Sequence, residues 1–236
     1  MTRHDPSERL HLAQPLRPGS EPSVELTQPD AARRLVVVSA GLSDPSSTRL
    51  LAGLLADAAE RALSEAGHPV QVDVVELRPL AHAVTDALLT GFPAGDLAEA
   101  ARLVAQADAV IAVTPVFSAS YSGLFKSFFD VLEPGSLEGT PVLVGATAGT
   151  ARHSLVLEHA LRPLFAYLKA VVVPTGVFAA SEDWGPGGAD GDLRARADRA
   201  AAELAALVAI DSRTPREDPF DRDVAAMGDF EDLLGR

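Results

Sequence analysis

Thr114-Pro-Val-Phe-Ser-Ala-Ser-Tyr-Ser-Gly-Leu-Phe-Lys-Ser-Phe-Phe-Asp130 is the stretch on which the fold reading turns. A short apolar run, Ala109-Val-Ile-Ala-Val113, leads into it. Pro115 has no N–H to give a central ladder, which predicts that the strand ends there. A small polar loop follows, and Ser122-Gly123 opens a new element. Leu124, Phe125, Phe128, Phe129 and Leu132 then recur at helical spacing. The order is strand, exposed loop, helix. In open parallel sheets, ligands sit outside the carboxyl ends of the strands, at loops of this kind. The same small polar residues also serve any ordinary connection between a strand and a helix.

The pattern repeats on either side. Leu35-Val-Val-Val38 reads as a buried strand, and a helix from the hydroxyls of Ser46, Ser47 and Thr48 to about Ala66 follows it, stopped by Gly67. Val70, Val72, Val74 and Val75 make a second strand. Leu77 to Asp96, with Pro79, Gly91, Pro93 and Gly95, reads as a packed loop or a short helix. A helix over Leu97 to Gln106 leads to the third strand, Ala109 to Val113. Pro141 to Gly145 is the fourth strand, Thr147 to Thr150 a loop, and Ala151 to Leu168 a helix that Pro163 kinks or breaks. Val171 to Val173 with Val177 and Phe178 forms the fifth strand. A loop over Gly185 to Gly191 and a helix from Leu193 to about Ile210 close the unit. Alternating strand and helix units imply right-handed crossovers and an α/β fold: a five-stranded, doubly wound parallel sheet, order 2-1-3-4-5, with helices on both faces. The expected organisation is a Pro-, Gly- and Ser-rich N-terminal extension over 1–32, one domain over 33–210, and an acidic C-terminal extension over 211–236. The last carries apolar anchors at Phe220, Val224, Met227, Phe230, Leu233 and Leu234.

Composition removes several functional classes. Acidic residues outnumber basic ones 33 to 20, for a net charge of −13, which disfavours nucleic acid and anionic membranes as partners. The chain has no cysteine, so thiol catalysis, disulfides and thiolate metal sites are out. Met1 to Gln14 lacks the apolar centre of a signal peptide. No apolar run reaches membrane-spanning length. The expected setting is cytoplasmic.

Three loops carry the candidate chemistry. The first is Ser39-Ala-Gly-Leu-Ser-Asp-Pro-Ser-Ser-Thr48, with Ser39, Gly41, Ser46, Ser47 and Thr48 as candidate contacts. A helix N-terminus with three hydroxyls suits a phosphate dianion, although Ser and Thr there also serve simply as caps. The loop matches neither G-x-x-x-x-G-K-[ST] nor G-x-G-x-x-G. Arg49 stands nearby as a cation, and Asp44 should point away. The second loop offers Thr114, Pro115, Val116, Phe117, Ser118 and Tyr121. The third, Gly145 to His153, offers Thr147, Ala148, Gly149 and Thr150, small residues that let a planar ring approach the backbone. Arg152 and His153 read either as a nicotinamide-phosphate site or an acid, or as surface and capping residues. No set of His and carboxylates has metal-ligand spacing. The loops follow strands one, three and four, which surround the point where the strand order reverses.

The second loop, as Thr-Pro-Val-Phe-x-x-x-Tyr-Ser-Gly-x-x-Lys-x-x-x-Asp, resembles the flavin-contacting loop of the NAD(P)H-dependent FMN reductase family. The first loop resembles that family's FMN-phosphate loop. The resemblance covers about residues 34–180. It implies a flavodoxin-like fold with FMN and NADPH or NADH as reactants. It also implies a homo-oligomer and, in many members, a flavin-dependent monooxygenase partner that receives reduced flavin. Hydride would pass from nicotinamide C4 to flavin N5 with no side-chain catalyst. The family often has Tyr where this chain has Phe117. Tyr121 matches a Tyr that lies, in some members, where a helix bulges near an oligomer interface; the residue reads equally as one packed between helices. The Leu124-Phe125 and Phe128-Phe129 pairs exceed what one helix face buries and favour association of subunits. A flavodoxin-type electron carrier and a quinone or azo-compound reductase of the same fold remain as alternatives.

Overall fold

The computed structural model describes residues 32–184 and 190–210. The N-terminal extension up to residue 31, loop residues 185–189 and the C-terminal extension lie outside the described residues. In the unit that begins at Ala31, β1 (Arg33–Ser39), β2 (Val70–Glu76), β3 (Ala109–Phe117), β5 (Pro141–Ala148) and two short strands, β6 (Val171–Val172) and β7 (Val177–Ala180), form a parallel array. Both short strands pair with the same side of β5. They act as one interrupted fifth strand, so the order β2-β1-β3-β5-β6/β7 corresponds to the flavodoxin-like 2-1-3-4-5 of the main strands. The remaining strand, β4 (Ser120–Tyr121), forms an antiparallel hairpin with the end of β3.

The strands are apolar at nearly every position because both faces are covered. Val36, Val38, Val110, Ala112, Val142 and Val144 face one buried cluster. It is completed by α2 (Leu77–Thr90), α3 (Asp96–Ala105), α4 (Gly123–Asp130) and α5 (Arg162–Tyr167). Leu35, Val37, Ala109, Ile111, Val113 and Leu143 face the other, covered by α1 (Ser47–Glu65) and α6 (Asp190–Ile210). Alternation along each strand assigns the residues to faces, and a one-residue slip would exchange the two sets.

Three local expectations change. Leu77 to Thr90 is a full helix of fourteen residues, not a loop. Pro79 falls in its first turn, where an N–H needs no helical partner. Gly91 ends it in the left-handed conformation, with φ 91° and its N–H bonded to Ala87 O at 2.8 Å. Strand β3 does not stop at Pro115 but runs on to Phe117. The Ala40 N–H donates to Val113 O, so Val113 turns its backbone toward β1, Thr114 toward β5, and Pro115 back to the side where β1 has ended. A missing N–H costs nothing there. Third, the segment after β5 is not one kinked helix. A 3-10 turn at Ala151–His153 and a π turn at Leu157–Leu161 precede α5, and Pro163 sits in the first turn of α5. Arg162 braces the junction, donating to Val173 O and Pro174 O and to Glu158. That hydrogen bond holds the Glu158 carboxyl below its ordinary range.

The phenylalanines of α4 are core residues of one subunit. Phe125, Phe128 and Phe129 are all buried, and Phe125 and Phe129 lie 6.3 and 5.0 Å, centre to centre, from the ring of Phe165. Their number is therefore explained within the protomer and is no argument for association. Phe125→Ala is expected to cost about 3–5 kcal/mol. Urea denaturation should show that loss equally at low and high protein concentration; a loss that fades on dilution would return these rings to an interface.

Candidate functional site

The carboxyl ends of the strands are staggered. Strand β1 ends at Ser39, opposite Val113, whereas β3 and β5 stay paired as far as Pro115 and Thr147. The two longer strands form a step beside the shorter one. The N-terminal turn of α1 faces that step, and a cavity of about 410 Å³ lies between them.

From the first loop the cavity is lined by Leu42, Ser43, Ser47 and Thr48. Gly41 and Ser46 lie behind this wall. The Ser46 hydroxyl accepts from Arg49 N–H at 3.2 Å and caps α1. A Cβ on Gly41 would stand 2.1 Å from that hydroxyl, so only glycine lets the loop close over the cap. Ser39 is buried at the end of β1. Asp44 is exposed and off the cavity. Arg49 is bound to Glu76 at 2.6 Å and is also off the cavity.

From the second loop come Pro115, Val116 and Phe117. Phe117 remains 47% exposed, so its ring stands at the mouth. Thr114 does not reach the cavity. It is fully buried, its hydroxyl accepting from Ser122 N–H at 3.0 Å and donating to Pro115 O at 2.9 Å. It ties the end of β3 to the start of α4. Ser118 is exposed at the hairpin tip, where it and Ala119 have φ of 48° and 67°. Two successive left-handed residues make the primed turn that matches strand twist, a strained choice without glycine. Tyr121 is half-buried in β4, 6.0 Å from the Phe125 ring. It packs against α4, which is a plain α-helix; the π turn lies in Leu157–Leu161 instead.

From the third loop come Thr147, Ala148 and Gly149. Thr147 and Ala148 are the last ladder residues of β5, paired with Ala179 and Ala180, rather than loop residues. The N–H groups beyond the ladder belong to Gly149 and Thr150. Thr150 is exposed and outside the lining. Gly149 does not have a left-handed backbone, and a Cβ there would meet open space. Arg152, His153 and His159 are exposed. Ser181, just past β7, completes the wall. Sequence reasoning omitted Ser181, although the rule that ligands collect at strand ends applies equally to the fifth strand. It also passed over Leu42 and Ser43, inside a loop already singled out.

Among the described residues, those lining the cavity include no Asp, Glu, His, Lys, Arg or Tyr. Among the described residues there is also no group of three metal-ligating side chains, and no helix long and apolar enough to cross a membrane. What the cavity offers is hydroxyls and N–H groups at one end, a wall of small residues on one side, and apolar side chains at the mouth.

A doubly wound parallel sheet with a cleft at its switch point places the chain among the α/β proteins whose ligands sit at that point. The sequence profile of the NADPH-dependent FMN reductases matches residues 33–185, and the chain belongs to that family, an oxidoreductase family that works with FMN and a reduced nicotinamide nucleotide. It is 38% identical to the NADH-dependent FMN reductase SfnF of Pseudomonas putida, over 63% of this chain and 78% of that one. It is 36% identical to an FMN reductase (NADPH) of Pseudomonas aeruginosa, over 64% and 78%. Among solved structures it is similar to an oxidoreductase from Corynebacterium diphtheriae, with 47% identity and a TM-score of 0.74 over 77% of this chain and 99% of that one.

The Gly41 contact generates a test of the first loop. Gly41→Ala must push the Ser46 hydroxyl off the α1 cap, with an expected loss of about 0.5–2 kcal/mol. Thermal unfolding should show it, while Gly149→Ala, whose Cβ meets nothing, should unfold with the wild type.

Proposed function

We propose that the cavity between α1, β3 and β5 is the flavin site of an NAD(P)H-dependent FMN reductase. The observation that carries the reading is the convergence of three strand-end loops on one cleft lined by neutral donors and small residues. The cleft is of the size that small-ligand sites occupy, about 300–1,000 Å³. In this reading Ser47, Thr48 and the free N–H groups of α1 hold the phosphate. Ala148 and Gly149 lie against the ring, and the Gly149 N–H faces its N1 and O2 edge. Val116 and Phe117 supply apolar contact. Bound FMN supplies a ring that accepts hydride from nicotinamide, and the hard chemistry is its own. This chain orients the two reactants and stabilises developing negative charge with preorganised donors. A hydride transfer needs no side-chain base, in keeping with a lining that holds no titratable group among the described residues.

The proposal extends to a homo-oligomer, to release of reduced flavin to a flavin-dependent monooxygenase, and to the cytoplasm as the location. Support for the oligomer now comes from the end of α2, where Leu88, Leu89 and Phe92 are exposed, Leu89 to 82%. Three large apolar side chains so close in sequence mark a surface that benefits from cover. Light scattering at micromolar concentration should return a multiple of the 24.6 kDa chain mass; the monomer mass would end this part of the proposal.

The activity is tested by mixing the protein with NADPH or NADH and FMN and following loss of the nicotinamide absorbance, with quinones as rival acceptors. Gly149→Val is the discriminating variant. It should fold, since nothing opposes its side chain in the free protein. Its branched side chain would fill the space meant for the ring, and flavin reduction should slow about tenfold or more, roughly 1.4 kcal/mol in the barrier. A folded variant with unchanged turnover and FMN affinity would move the ring away from this loop.

A further inference from the structure

The Thr48 and Thr147 hydroxyls lie 2.8 Å apart, joining residues ninety-nine positions apart in the chain. Both side chains are buried, and both residues border the cavity. Two valines would fill the same volume without the cost of burying two polar groups. A threonine hydroxyl has one proton to give and two lone pairs to accept with. Their mutual contact uses one proton and leaves one. Among the described residues each hydroxyl has the other as its hydrogen-bond partner, and the remaining proton can leave from either end. Thr48 belongs to the first turn of α1, where N–H groups and the helix dipole favour an anion. A phosphate dianion has no O–H and can only accept. Placed there, it accepts a hydrogen bond from the Thr48 O–H, and the Thr48 oxygen must then accept from Thr147. Two O–H groups running in one sense polarise each other, so the outer one becomes a stronger donor.

Resting on the flavin reading above, we propose that Thr147 is a positioning residue that selects 5′-phosphorylated flavin over unphosphorylated flavin. It touches Thr48, not the ligand, and aligns the Thr48 hydroxyl on the phosphate. Riboflavin brings no anion to that end and leaves the pair free to point either way. The third loop, whose neighbouring residues face the ring, is thereby linked through one buried hydrogen bond to the end that recognises phosphate.

The test titrates FMN and riboflavin separately into the full-length protein, reading flavin fluorescence. The variants are Thr147→Val, Thr147→Ala, Thr147→Ser, Thr48→Val and Thr48→Val with Thr147→Val. Either Thr147→Val or Thr147→Ala should weaken FMN binding by about tenfold while riboflavin changes by less than about twofold. Thr147→Ser, which keeps the hydroxyl, should stay within about twofold of the wild type for FMN. Because Thr147 acts through Thr48, the double variant should bind FMN no more than about twofold worse than Thr48→Val alone. Equal losses for both flavins would overturn the proposal, since Thr147 would then only shape the wall. Additive losses in the double variant would overturn it as well, because Thr147 would then reach the phosphate directly. A wild type that binds FMN more tightly than riboflavin, with Thr147→Val unchanged, removes this proposal and leaves the flavin site standing. A wild type that binds neither flavin removes both.

Discussion

The unequal reach of three parallel strands is the constraint on which this structure depends. Strand β1 stops at Ser39, while β3 and β5 remain hydrogen-bonded for two residues more, to the Pro115 and Thr147 pair. A helix that follows the shorter strand must begin over the step left by the longer ones. Its unsatisfied N–H groups then face a cleft floored by the ends of β3 and β5. Pro115 is tolerated because its backbone turns away from β5 and lies beyond the last residue of β1. The register that sets the step is itself held by burial, since Val36, Val38, Leu35 and Val37 each have an assigned face and a slip would expose them.

The cleft is electrically quiet. The chain carries net −13, yet among the described residues no titratable side chain lines the cavity. The nearest cation of the first loop, Arg49, is bound to Glu76. In the proposed flavin site, recognition of the phosphate therefore falls to hydroxyls, N–H groups and the α1 dipole, which act over a short range and demand geometry. That explains why small local contacts matter here. Gly41 lets the loop close on Ser46, and Thr48 meets Thr147 within the wall. Neutral donors also suit a reaction whose chemistry is carried by its cofactors, because they stabilise charge without exchanging protons of their own.

Among the described residues, two of the three non-glycine residues with left-handed backbones lie at the rim of this centre. Ser118 and Ala119 occupy left-handed conformations at the tip of a hairpin that carries Phe117 at the mouth. On the far side of β5 the chain passes through 3-10, π and α turns before it settles into a regular helix. Irregular turns of this kind recur near functional sites, where the path of the chain is set by what it must approach.

The order of strands and helices, and the three loops at strand ends, were legible from the sequence alone. Runs such as Leu35 to Val38 and Pro141 to Gly145 are apolar without alternation, which only a doubly covered parallel strand requires. Ser46 to Thr48 mark a helix start through the chemistry of the N-cap itself. Local chemistry failed where a residue's meaning depends on its neighbours in space. Pro115 reads as a stop until it is known to lie past the end of β1, with its backbone turned away from β5. Pro79 and Gly91 read as loop punctuation until each falls at a helix end. The aromatic excess of α4 read as an interface, because nothing local places Phe165 beside Phe125 and Phe129. Within the site, the sequence supplied the residue types, and tertiary structure chose among them. Thr114 and Ser39 turned inward, Ser181 joined from the fifth strand, and Thr48 found Thr147 across ninety-nine positions. Hydrogen bonds between elements distant in the chain leave no periodic trace in a sequence, so only the packing of α1 on the sheet decides which hydroxyls meet.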